Sequence, residues 1–127
     1  RESIALLREK YPGQRLFAVF EPRSNTSRRN IFQREIAEAL ANADAIVIGG
    51  VFNPQRIDPE KRFSPEKACE EIRAAGKEAI AIDKVEVILK HLLDNLRKDD
   101  VVLIMSNGPF GGLPSLLFKE LSCRHGA

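Results

Sequence analysis

Residues 16–27 read Leu16-Phe17-Ala18-Val19-Phe20-Glu21-Pro22-Arg23-Ser24-Asn25-Thr26-Ser27. Five apolar residues without polar alternation give way abruptly to a polar loop. Beyond it, Phe32, Ile36 and Leu40 recur every fourth residue. An unbroken apolar run of this length is the pattern of a strand covered on both faces, and a four-residue repeat is that of a helix with one apolar side. The unit is strand, loop, helix. Three further apolar runs, at residues 45–48, 79–82 and 101–105, repeat it.

The intervening segments carry their own punctuation. Ser64-Pro65-Glu66 supplies an N-cap, a proline at the first helical position and an early acid. The helix that follows is expected to turn Ala68, Ile72 and Ala75 inward and to stop at Gly76. Val85, Ile88, Leu92 and Leu96 form another stripe. A final helix from near Pro114 is expected to bury Leu116, Leu117 and Leu121, and a first helix over Glu2–Lys10 ends at Tyr11-Pro12-Gly13. Strands alternating with helices predict an α/β fold, Rossmann-like, with a mainly parallel sheet and helices on both faces. Right-handed crossovers then favour the strand order 3-2-1-4. Winding reverses between the first and fourth strands, and ligands of such sheets bind beyond the carboxyl ends at the reversal. The loops expected there are residues 21–27 and 106–112. Residues 49–63 form a third, long loop on the same edge, a length usually associated with function.

A chain of 127 residues is one domain, and its 43% hydrophobic and 30% charged residues exclude a disordered, collagen-like or coiled-coil chain. No apolar run approaches the ~20 residues of a membrane span. The net charge of +2 gives no pull toward nucleic acid or acidic membranes. Two cysteines, Cys69 and Cys123, make neither a zinc quartet nor a disulfide framework, so a reducing, cytoplasmic setting is expected. The chain begins at Arg1 rather than Met, and is read as a piece cut from a longer protein.

Chemistry is expected at the two reversal loops. In the first, Ser24, Asn25, Thr26 and Ser27 offer caps to the next helix, while Arg28 and Arg29 are placed in its first turn, where the macrodipole disfavours cations by about 0.3–1 kcal/mol each. Hydroxyls, free amides and arginines at one helix start make an anion site, in which Arg23 can grip a carboxylate or phosphate with two prongs. In the second loop, Ser106 and Asn107 are polar handles at a strand end. Gly108, Gly111 and Gly112 allow close backbone approach beside a Phe110 read as exposed. In the long loop, Asn53 and Arg56 could reach a substrate. No dinucleotide fingerprint, Walker-type loop, catalytic triad, paired carboxylates or metal-ligand cluster is present; His91 and His125 have no nearby partners. The residues alone describe a ligand-binding α/β domain without a visible catalytic engine. They leave open a domain of a larger enzyme, a free-standing nucleotide- or anion-binding module without catalysis, and an interaction domain using the long loop.

Two strings narrow this choice. Val19-Phe20-Glu21-Pro22-Arg23-Ser24-Asn25-Thr26 and Val102-Leu103-Ile104-Met105-Ser106-Asn107-Gly108-Pro109-Phe110-Gly111-Gly112 resemble the carboxy-terminal domain of Mur ligases, over nearly the whole chain. Within that family they are most similar to the branch whose incoming group is a recycled peptide. The resemblance implies a three-domain, ATP- and Mg2+-dependent amide ligase of peptidoglycan biosynthesis or recycling. Its amino-terminal domain would hold UDP-N-acetylmuramate, its central domain would hold ATP, and residues 1–127 would be the carboxy-terminal domain, packed against both. An acyl-phosphate on the muramoyl carboxylate would be attacked by an amino acid or by the murein peptide L-Ala-γ-D-Glu-meso-diaminopimelate. Arg23, Ser24, Asn25 and Thr26 match the loop facing nucleotide and incoming substrate, and Ser106, Asn107, Gly108, Phe110 and Gly111 fall in the loop bordering the amine site. Glu21 stands where relatives place an acidic ribose contact. Asn53-Pro54-Gln55-Arg56 is similar to the Asp-Asn-Pro-Arg string whose Arg recognises a diaminopimelate carboxylate, with Phe52 replacing Asp and Gln55 inserted. No catalytic or metal-binding residue is assigned to this chain, and the isolated domain is expected to be inactive.

Overall fold

The computed structural model describes residues 2–23, 28–51, 54–106 and 108–124. Among the described residues, nine α-helices and strands follow the predicted order: α1 (Glu2–Lys10), β1 (Leu16–Phe20), α2 (Gln33–Leu40), β2 (Ala45–Ile48), α3 (Pro65–Ala74), β3 (Glu78–Ala81), α4 (Val85–Asn95), β4 (Val101–Met105) and α5 (Leu113–Arg124). The strands form one parallel sheet in the order β3-β2-β1-β4. Local chemistry sets several boundaries. Ser64 Oγ accepts the Lys67 amide at 3.1 Å and Pro65 occupies the first turn of α3, while Gly76, at φ +88°, takes the left-handed geometry that ends it.

Alternate residues of β1 point to opposite faces and feed two cores. Leu16 and Ala18 join Ile4, Leu40, Ile46, Ile48, Phe63 and Ile72 under α1–α3. Phe17 and Val19 join Val47, Ile88, Leu92, Phe110, Leu113 and Leu117 under α4 and α5. The central strands β1 and β2 are buried as expected, whereas β3 is not: as an edge strand it leaves Glu78 and Ile80 exposed. Three helix faces differ from expectation in the same manner. Cys69, not Ala75, is buried on α3; Leu116 of α5 and Phe32 before α2 face outward. Ala75 is the cap beyond α3, Phe32 lies in the turn before α2, and Leu116 falls beside the buried Leu113–Leu117 stripe of α5.

Two ion pairs pin the amino ends of the strands. Arg15 donates to Asp100 at 2.6 Å and stacks 4.7 Å over Phe17, and the Arg97 amide also donates to Asp100. Arg8 donates to Asp44 at 2.6 Å, whose other oxygen accepts the Leu16 amide at 2.8 Å. Burial disfavours both carboxylates, but these donors outweigh it and hold Asp44 and Asp100 below the ordinary carboxylate range. The clamps lie at the opposite edge from the reversal loops, which leaves that edge for chemistry.

Candidate functional site

The register of β1 against β4 builds the site. Phe20 pairs with Met105, and the ladder continues one step as the Glu21 amide donates to the Met105 carbonyl at 3.0 Å. The next residues, Glu21 and Ser106, therefore stand side by side at the carboxyl edge, where winding reverses. Ser106 Oγ donates to Glu21 Oε1 at 2.5 Å and accepts the Gly108 amide at 3.1 Å. Arg23 lies across the same loop: a Cβ built on Gly108 would sit 2.6 Å from Arg23 Cδ and Cζ and overlap Nε. Gly108 is outside the left-handed region. Its lack of a side chain makes room for the Arg23 stem, which is the close approach that glycine allows.

The rest of this loop is set by packing. Phe110, read from sequence as exposed, is 2% exposed. Its ring enters the α4–α5 core, with Cζ 3.0 Å from where a Gly49 Cβ would lie. The backbone follows, with φ +50° at Phe110, an unusual value for a bulky residue, and +59° at Gly111. A Cβ on Gly111 would meet Val85 Cγ2 at 2.7 Å. Phe110 thus seats the loop on α4 and its ring presents no surface to a ligand, while Gly111, close against Val85, remains exposed.

The arginine-bearing helix start is also corrected. Arg28 and Arg29 precede α2: Arg29 is extended and leads into a 3-10 turn, Asn30–Phe32, before α2 begins at Gln33. The cause is a tether to the long loop. The Phe63 amide donates to the Arg28 carbonyl at 2.9 Å, Arg29 forms an antiparallel bridge with Arg62, and Asn30 Nδ2 donates to the Glu60 carbonyl. Gln33 completes it, donating to the Ser64 carbonyl and accepting the Ser64 amide, both at 2.8 Å. The described part of the long loop is accordingly packed, with Ile57 and Phe63 buried. Arg56 ends an exposed turn, Pro54–Arg56, and makes no hydrogen bond or ion pair with Glu21, Arg23 or Ser106 among the described residues. Ser24, Asn25, Thr26, Asn53 and Asn107 lie outside the described residues.

One feature of this edge was missed from sequence. A cleft of about 520 Å³ opens beyond β2 and β3, lined by Gly49, Gly50, Arg62, Ser64, Glu66 and Asp83 among others. A Cβ on Gly50 would overlap the Asp83 carboxylate, whose Cγ is 3.1 Å away. The adjacent glycines at the β2 end were the available signal. Among the described residues, no three of His, Cys, Asp and Glu converge as a metal site, and no helix is long and apolar enough to cross a membrane.

A parallel α/β sheet with an arginine and a glycine-rich loop gathered at its winding reversal defines a domain of the doubly wound class, in which ligands bind at such an edge. The family described as Mur ligase, glutamate ligase domain, matches residues 1–108, and the chain belongs to that family as its carboxy-terminal domain. The chain is 33% identical, over 116 residues, to a UDP-N-acetylmuramate–L-alanine ligase of Variovorax paradoxus (strain S110), covering 88% of this chain and 23% of that protein. It spans about a quarter of the length of such curated relatives. A solved domain attributed to a UDP-N-acetylmuramate:L-alanyl-γ-D-glutamyl-meso-diaminopimelate ligase of Haemophilus ducreyi 35000HP is 30% identical, with a TM-score of 0.66, over 94% of this chain and 79% of that one. A murein peptide ligase from Psychrobacter arcticus 273-4 shares the fold, with a TM-score of 0.74 and 24% identity over 93% of this chain and 24% of that one.

Proposed function

We propose that residues 1–127 form the substrate-facing domain of a cytoplasmic, ATP-dependent murein peptide ligase. The reaction would join the carboxylate of UDP-N-acetylmuramate to the amine of L-alanyl-γ-D-glutamyl-meso-diaminopimelate. The carboxylate takes the terminal phosphoryl group of ATP, releasing ADP; the amine attacks the acyl carbon, phosphate leaves, the amine loses a proton and an amide remains. The observation that carries this reading is the convergence of Arg23, Glu21, Ser106 and Gly108 at the β1–β4 reversal, on the two strings that resemble the peptide-adding branch.

This domain's part is binding and orientation. Arg23, in a chain whose Gly108 leaves room for it, is suited to a carboxylate or phosphate of the reactants. Glu21 is already hydrogen-bonded by Ser106, and the acids among the described residues do not cluster around a cation. By the resemblance to three-domain ligases, Mg2+ and the ATP phosphates are assigned to the preceding domains, against which this one would pack. Ser24, Asn25, Thr26 and Asn107 complete the proposed binding loops, with Arg56 as an outlying contact.

The full ligase should be assayed with UDP-N-acetylmuramate and ATP, supplied with either L-alanine or the tripeptide. Phosphate release with the tripeptide and little with L-alanine is expected, and the reverse preference would overturn the assignment. Arg23→Ala should lower kcat/KM on the order of tenfold or more, the worth of a charge-assisted hydrogen bond; unchanged kinetics would remove Arg23 from the site.

A further inference from the structure

We propose that Glu21 is a positioning residue, acting through Ser106 to hold the glycine-rich loop against which Arg23 rests, and not a nucleotide ligand. The inference rests on the function proposed above and concerns the same edge. The Phe20–Met105 register places Glu21 beside Ser106 without any freedom of the loops being needed. The Ser106 hydroxyl then has two committed partners. It accepts the Gly108 amide at 3.1 Å and donates to Glu21 Oε1 at 2.5 Å. A hydroxyl has one proton to donate, so this relay fixes its direction: amide to hydroxyl to carboxylate. The charged acceptor at its end strengthens both links.

The relay starts at Gly108, the residue that the Arg23 side chain crosses. Glu21 and Arg23 are two residues apart on one strand end, yet they communicate through the other. Glu21 anchors Ser106, Ser106 anchors the Gly108 backbone, and Gly108 shapes the floor beneath Arg23. A carboxylate used in this way has one oxygen committed within the domain. That is a different task from the ribose contact that relatives suggest for this position.

Four variants test it: Glu21→Ala, Glu21→Gln, Ser106→Ala and the double variant with alanine at both positions. In the 127-residue chain, amide hydrogen exchange at Gly108 should accelerate on the order of tenfold in each alanine variant. The double variant should exchange no faster than either single one, and Glu21→Gln, whose amide oxygen still accepts, should restore protection. In the full ligase, kcat/KM for the tripeptide should fall on the order of tenfold in each alanine variant and no further in the double. Effects that multiply to about a hundredfold, a rise in the ATP KM with Glu21→Ala but not Ser106→Ala, or unaltered exchange at Gly108 in Glu21→Ala would each overturn the proposal. The exchange measurement needs no substrate. Accelerated exchange in an enzyme that ignores the tripeptide would uphold the relay and overturn only the assigned reaction.

Discussion

Gly108→Ala separates the geometry of Arg23 from its charge. The new methyl carbon would stand 2.6 Å from Arg23 Cδ and Cζ. Carbon atoms pack at about 3.5–4.0 Å, so the arginine must retreat by roughly 1 Å. The backbone itself accepts the change, because Gly108 lies outside the left-handed region. Gly→Ala at such a position stabilises by about 0.4–1 kcal/mol through the unfolded chain, which offsets the cost of moving one surface-reaching side chain. Thermal unfolding should therefore shift by no more than about 4 °C in either direction. Binding should suffer more. Pulling a bidentate cation off its anion forfeits about 1.5–3 kcal/mol, or roughly 10- to 100-fold. The assay is steady-state kinetics of the full ligase beside a melting curve of the same variant, with Arg23→Ala and the double variant as a cycle. Gly108→Ala should cost nothing once Arg23 is already alanine. An equal loss in both backgrounds, or a melting point lowered by more than about 10 °C, would refute the reasoning, since either result would place the role of Gly108 in the backbone.

The strand-end clamps set the acid response. Asp44 and Asp100 have lowered values in the folded state, so their stabilisation is complete above the ordinary carboxylate range near ~4 and is lost as pH falls through the lower folded values. Melting temperature should drop across that acid window, and Asp100→Asn should both flatten the profile and cost about 1–2 kcal/mol at neutral pH. Phe110→Ala removes a buried ring and should lower stability by about 3 kcal/mol, or on the order of 10 °C, read by calorimetry. Gln33→Ala strands the Ser64 amide, the Ser64 carbonyl keeping the Ala68 amide, and should hasten proteolysis within residues 54–64 while costing about 1–2 kcal/mol. Cys123 is exposed, whereas burial pushes the Cys69 thiol up, so a thiol reagent should titrate one cysteine quickly and the second only on unfolding.

The elements were legible because their signals are local. Apolar runs without alternation marked the strands to within one residue, and Ser64-Pro65 and Gly76 bounded α3 by capping chemistry that needs no distant partner. The strand order also followed from the sequence, since handed crossovers leave few topologies for four strand–helix units. Stripe margins were less legible. Ala75, Leu116 and Phe32 fit helical spacing, but spacing does not say where a helix begins and ends or which side of its stripe is covered.

The site divides along the same line. Sequence alone determined that Glu21, Arg23, Ser106 and Gly108 share one edge, because order along the chain and right-handed winding bring the ends of the first and fourth strands together. Only the tertiary structure decided what each does there. Phe110 left the surface for the α4–α5 core because the glycine at 49 opens a space that no local pattern records. Arg28 and Arg29 moved out of the helix start because a loop more than 30 residues away pairs with them. Glu21 was joined to Ser106 by a register across 85 residues of sequence. Contacts at such separations depend on the packed sheet, and the energies that select them exist only once it has formed.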